Sequence, residues 1–230
     1  MDTNGTEATT LALLRDMSRE LSSAIQSLKG KTSNEPIDHY VYFVALHVDR
    51  AVEGYLYLRE AGRLDASRHL IRTVIESVIR VQALQAKPEI FCLIAYGEFE
   101  EDQKLVRNLP IGRKADAEAA IDAQWEEFKR RFTTKYPGRP VVEHGISLRD
   151  AATAAGVEGF YDTQYRLYCR FTHAALRATS GSLNDLHFAD NQTMTLCAFG
   201  CTEALTTIGA SSPNFEALRI RMLKKPEEMA

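Results

Sequence analysis

The sequence predicts an all-α fold, a single-domain bundle of about seven or eight helices. Three observations lead there. Apolar residues recur at three- and four-residue spacing in nearly every segment between the Gly and Pro interruptions. Those interruptions carry the chemistry of helix caps and turns. At 230 residues and 45% hydrophobic, the chain can also bury a sizeable core without disulfides or metals.

The elements follow in order. A first helix is expected over about 6–28, closed by KGKTSNEP, where Gly30 can take the left-handed cap conformation and Pro36 can enter a new first turn. A second runs over 37–61. Gly62 ends it, and Asp65 offers its carboxylate to the free amides of a third helix over 66–86, so the two form an antiparallel hairpin. Pro88 opens a fourth helix that stops before Asn108. A charged fifth, over 113–136, carries the sole tryptophan, Trp125, and is expected to face water on most sides.

The connection 136–146, YPGRPVVEHGI, cannot sit inside a regular element because of its prolines and glycine, and VV offers at most a short extended piece. It is expected to be a flexible loop. Ser147 and Asp150 stand at capping-box spacing for a short helix that Gly156 closes. The segment 161–178 reads as one helix, another spans about 191–210, and Ser212-Pro213 starts the last. Residues 1–5 and 224–230 are expected to be frayed tails.

Composition narrows the function classes. With 28 basic and 31 acidic residues the formal net charge is −3, so global electrostatics does not drive binding to nucleic acid or an anionic membrane. No apolar run approaches the roughly 20 residues that span a bilayer, and MDTNGTEATT lacks the parts of a signal peptide. The expectation is a soluble cytoplasmic protein with no membrane partner. Cys92, Cys169, Cys197 and Cys201 form no CxxC pair, which favours reduced and mostly buried thiols.

Polar, reactive side chains gather in YDTQYRLYCRFTHAALRA, residues 161–178. At about 100° per residue, Arg166, Arg170, His173 and Arg177 make one basic stripe. Tyr161, Tyr165, Tyr168 and Leu176 hold the neighbouring face, with His173 and Cys169 at the border. A half-buried histidine beside a cation has its pKa lowered, leaving a neutral imidazole that accepts a proton. An ordinary amphipathic surface helix shows the same pattern, so both readings stand.

The third helix supplies a partner. Leu70, Ile71, Val74, Ile75, Val78 and Val81 define its apolar face, and His69, Arg72, Glu76 and Arg80 line the other. The last three follow at i, i+4 spacing, which makes either a solvated salt-bridge ladder or a set that pairs Glu76 with His173 inside the bundle and fixes the imidazole tautomer.

RHLIRTVIES and YDTQYRLYCRFTHAAL together resemble an uncharacterised all-helical, mostly bacterial family with an R-x-x-x-E-S element and a later Y-x-x-x-[SC]-x-x-x-H element. Arg72, Glu76 and Ser77 match the first, and Tyr165, Cys169 and His173 the second, with Cys169 where serine is more frequent. A looser likeness is to HEPN-type helical ribonucleases, whose arginine and histidine meet across a dimer at the RNA 2′-hydroxyl and phosphate. Arg166 and His173 fit that spacing, although Leu167 stands where a polar residue usually follows the arginine. The likeness implies RNA as a substrate, a homodimer and catalysis without metal.

Other chemistries lack their residues. Neither E-x-x-H nor H-E-x-x-H occurs, Cys197 and Cys201 have no histidine at ligand spacing, and no Gly-rich phosphate loop is present. No metal and no cofactor is expected. His39 and His47 read as partly buried packing histidines, and His144 and His187 as loop residues. Two functions remain open: a helical domain binding an unknown protein or small molecule through Arg72, Glu76, Tyr165, Cys169, Arg170 and Arg177, or a metal-independent ribonuclease using Arg166 and His173.

Overall fold

A computed structural model describes residues 3–31, 33, 35–108, 111–172 and 186–223. Among the described residues every regular element is helical, and none is a strand. Helix α1 (Thr3–Leu28) is followed by α2 (Pro36–Glu60) and α3 (Leu64–Ala86). A 3-10 turn at Pro88–Ile90 leads into α4 (Phe91–Arg107), and α5 is Ile111–Lys135. Then come α6 (Leu148–Ala155), the single turn α7 (Glu158–Phe160), a π-helical turn at Tyr161–Tyr165 and α8 (Arg166–Thr172). The last two are α9 (His187–Thr207) and α10 (Phe215–Leu223).

The core lies where α3 meets α2, α6, α8 and α9, with α1 closed over α9 and α2. Leu14, Met17 and Leu21 of α1, Ile71, Ile75 and Ile79 of α3, and Met194 and Leu205 of α9 are fully buried. The spacing of three and four within the first two sets puts each on one face, which is the stripe the sequence predicts. Helix α9 is buried on most sides, and its threonines spend their hydroxyls internally: Thr195 donates to the Asn191 carbonyl at 2.8 Å and Thr202 to that of Ala198 at 2.9 Å.

Gly62 adopts φ +70° and turns α2 into α3, with the Arg63 amide donating to the Leu58 carbonyl at 2.8 Å. Because the turn finishes within Gly62 and Arg63, helical geometry resumes at Leu64. Asp65 therefore lies inside the first turn, 90% exposed, and caps nothing through its side chain. It favours the helix start by charge alone. The predicted cap at Ser147 is present: its hydroxyl accepts from the Asp150 amide at 3.1 Å, and Gly156 closes α6 at φ +71°.

Helix α5 is mostly exposed, as its charge predicts, but it joins the body through an aromatic seam. Tyr40 meets Phe91 edge-on at 6.0 Å, Phe91 meets Phe128 at 5.6 Å, and Phe128 stacks on Trp125 at 5.1 Å. The connection 136–146 is irregular, as expected, and has two halves. Residues 137–140 are exposed, whereas Val142 is tied to Cys92, its amide 3.4 Å from the sulfur, and a Cβ on Gly145 would lie 3.2 Å from the Gly97 Cα. Glu20 of α1, buried, accepts from the Ser212 hydroxyl at 2.8 Å and the Asn214 side-chain amide at 2.7 Å, which seats α10.

Candidate functional site

Helix α3 carries two arginines one turn apart, and each meets a carboxylate and a tyrosine. The inner set is dry. Arg68 Nε donates to Asp190 Oδ2 at 2.9 Å, and the Tyr168 hydroxyl donates to Asp190 Oδ1 at 2.7 Å. Arg68 is 2% exposed and Asp190 and Tyr168 are 0%. The guanidinium also lies 4.9 Å from the centre of the Phe171 ring. Next to it the Tyr55 hydroxyl donates to Asn191 Oδ1 at 2.8 Å, and Asn191 Nδ2 reaches Thr10 at 3.4 Å. Burial, then the charge of Asp190, pushes the Tyr168 hydroxyl well above its usual range, so it stays a donor.

The outer set is open to water. Arg72 Nε and the Tyr165 hydroxyl both donate to Glu76 Oε1, each at 2.9 Å. Arg72 and Glu76 keep 25% of their side-chain surface exposed. The Arg72 guanidinium sits 5.7 Å from the Tyr165 ring centre, and Tyr161 stacks on Tyr165 at 5.0 Å with 20° between the planes. That stack follows from the π-helical turn, whose wider i to i+5 bonding brings positions four apart almost above one another. Burial, followed by hydrogen bonds with Cys169 and Glu76, raises the Tyr165 hydroxyl above its usual range.

Arg72, Glu76, Tyr165 and Cys169, predicted from two distant segments, thus come together. Ser77 does not join them; its hydroxyl donates back to the Thr73 carbonyl at 3.0 Å. Arg166 projects elsewhere, 71% exposed and 3.7 Å from Asp162. The Arg170 side chain, His173 and Arg177 lie outside the described residues, as does the expected pairing of His173 with Glu76. The predicted uninterrupted helix from 161 is corrected by the π turn, since five residues there bond one position further back.

Three histidine readings also change. His39 and His47 are exposed, because the buried face of α2 is set by Val41, Ala45 and Val48. His187 heads α9 instead of sitting in a loop, and its Nδ1 accepts from Arg59 at 2.9 Å. The inner set was missed, although a signal existed: Arg68 stands three and seven residues before Ile71 and Ile75, on the apolar stripe of its own helix. Among the described residues no His, Cys, Asp and Glu group could hold a metal ion. Cys197 and Cys201 are buried, and burial pushes the Cys201 thiol up to about 12.

These features define an all-α protein whose central helix bears one buried and one open Arg-carboxylate-Tyr set. Residues 40–192, about two thirds of the chain, match the family of unknown function DUF5677, and the chain belongs to that family. The matched span contains both predicted motif positions at Glu76 and Tyr165 and all three members of the inner set. No curated protein and no solved structure matches the chain. The comparisons give no support to the HEPN likeness.

Proposed function

We propose that the chain forms one domain of the reducing cytoplasm and that it is a binding protein, with the open Arg72-Glu76-Tyr165 set receiving a partner or small polar ligand. The observation that carries this reading is the division of labour at Glu76. Both of its partners use Oε1, and the side chain remains partly in water. Its second oxygen, beside a guanidinium with further N–H groups, offers an acceptor next to donors. Tyr161 and Tyr165 add a stacked aromatic wall. A ligand presenting a donor beside an acceptor, with a flat apolar part, complements this arrangement.

The inner set supports the reading by contrast. It has the same composition but no access to solvent, and it fastens α8 and α9 to α3. The outer set adds little to that fastening. Partly exposed ion pairs contribute at most about 1 kcal/mol. Its chemistry is therefore available for recognition.

A thermal-shift screen of small amides, carboxylates and amines against wild type and Glu76→Gln tests the proposal. The expected result is a compound that raises the melting temperature of wild type and not of the variant. If no stabilising compound depends on Glu76, the reading fails. The ribonuclease reading has one supporting fact, the exposure of Arg166. Cleavage of single-stranded RNA without added metal, lost in Arg166→Ala and His173→Ala, would replace the binding reading with that one.

A further inference from the structure

Arg72, Glu76 and Arg80 follow at single-turn intervals on α3, yet only the first rung closes. Glu76 turns to Arg72 and Tyr165. Among the described residues Arg80 makes no hydrogen bond and no ion pair within 4.0 Å. It is half-buried and lines a groove of about 340 Å³ between α2, α3 and α4. That volume falls at the lower end of the roughly 300–1,000 Å³ of small-molecule sites.

One wall is a single stripe of α2, where Tyr40, Phe43, Val44 and His47 stand at i, i+3, i+4 and i+7. Ser77 joins Arg80 from α3, and Glu98 comes from α4. Phe43 is 64% exposed, a large apolar surface left in water at the mouth of a charged groove. Arg80 and Glu98 share this space without forming an ion pair. Each feels the other only at longer range, as the effect of Arg80 on Glu98 shows.

We infer that this groove binds a small zwitterion of the amino-acid type, with its carboxylate on Arg80, its ammonium on Glu98 and an apolar side chain against Phe43 and Val44. The charges select the class. A plain anion meets repulsion from Glu98, and a plain cation meets it from Arg80. A molecule carrying both signs satisfies both groups. The guanidinium fork suits a carboxylate bidentately, and the Phe43 ring gives an apolar platform. The Ser77 hydroxyl, whose proton goes to the Thr73 carbonyl, keeps its lone pairs for an ammonium. Although Glu98 still reaches solvent, crowding by the groove raises its carboxyl, offset in part by Tyr40 and Arg80. A ligand ammonium beside it lowers that carboxyl again and favours its charged form.

Calorimetric titration of the full chain with L-phenylalanine, L-tyrosine and L-leucine tests the assignment, with phenethylamine and 3-phenylpropionate as one-charge controls. At least one amino acid is expected to bind saturably below about 10 mM, and each control at least about tenfold more weakly than L-phenylalanine. Arg80→Gln should abolish the advantage over phenethylamine, and Glu98→Gln the advantage over 3-phenylpropionate. Glu76→Gln should change neither. Phe43→Ala, at an exposed position that does not endanger the fold, should weaken the amino acid at least about threefold. Absence of saturable binding by all three amino acids, equal binding of the controls, or intact discrimination in the charge variants overturns the assignment.

Discussion

Replacing the buried Arg68-Asp190 pair by apolar residues of similar size is expected to cost far less than removing either partner. In Arg68→Met the Asp190 carboxylate, 0% exposed, keeps the Tyr168 hydroxyl at 2.7 Å but loses its cation. In Asp190→Leu the guanidinium loses the acceptor that its Nε meets at 2.9 Å, and the Tyr168 hydroxyl loses the acceptor that it meets at 2.7 Å. Breaking a buried pair this way costs about 3–5 kcal/mol for each single change. The double variant removes both buried charges together, and what remains is the lost bond from Tyr168 to Asp190, at about 1–3 kcal/mol. Against a total stability of roughly 5–15 kcal/mol, each single loss is large and easily measured by urea denaturation followed at 222 nm. The cycle should therefore show a coupling of several kcal/mol, with the double variant more stable than either single one. Tyr168→Phe, a milder change, should cost about 1–2 kcal/mol and remain folded. Additive losses of about 0.5 kcal/mol or less would refute a buried, mutually dependent set.

Three further outcomes are expected. A Cβ at Gly200 would lie 3.2 Å from Val78 Cγ1 and 2.8 Å from the amide end of Gln82, which can swing aside, so Gly200→Ala should gain clearly less in urea than the roughly 1 kcal/mol of its better helix propensity; a full gain of that size would contradict the close approach of α3 and α9. Tyr55 and Tyr168 are held above their ordinary 10.0 by burial, so the native state keeps protons that the unfolded chain releases. Stability is then full below about pH 10 and falls above it, by up to about 1.4 kcal/mol per pH unit for each tyrosine; a flat profile to about pH 11, or no flattening in Tyr168→Phe, would contradict the burial. Proteinase K should cut first among the described residues at 137–140, where the chain is exposed, and a first cut inside α3 would contradict that order.

What the sequence made legible is local. The stripe from Ile71 to Val78, the left-handed glycines 62 and 156 and the Ser147 cap each depend on residues within a turn of one another, and each stands where its spacing predicts. Glu76 and Tyr165 were found together because both occupy motif positions, although 89 residues separate them. The inner set was not found, because Asp190 meets Arg68 across 122 residues and no local pattern marks an aspartate as the buried partner of a distant arginine. The π turn was not legible either, because nothing in the composition of YDTQY distinguishes a one-residue widening from an ordinary helical turn. Asp65 fails as a cap for a subtler reason: the helix restarts at Leu64, two residues earlier than a cap at Asp65 requires, so Arg63 holds the cap position.

The most direct measurement is a titration of the 15N-labelled chain with the Glu76-dependent compound from the thermal screen, following each backbone amide. Recognition at the open set requires the largest shifts at residues 72–77 and 161–169, where Arg72, Glu76, Tyr161 and Tyr165 meet. The same titration of Glu76→Gln should leave those amides unmoved while the rest of its spectrum matches wild type. Shifts concentrated elsewhere, or equal shifts in the variant, would contradict a binding role for the Arg72-Glu76-Tyr165 set.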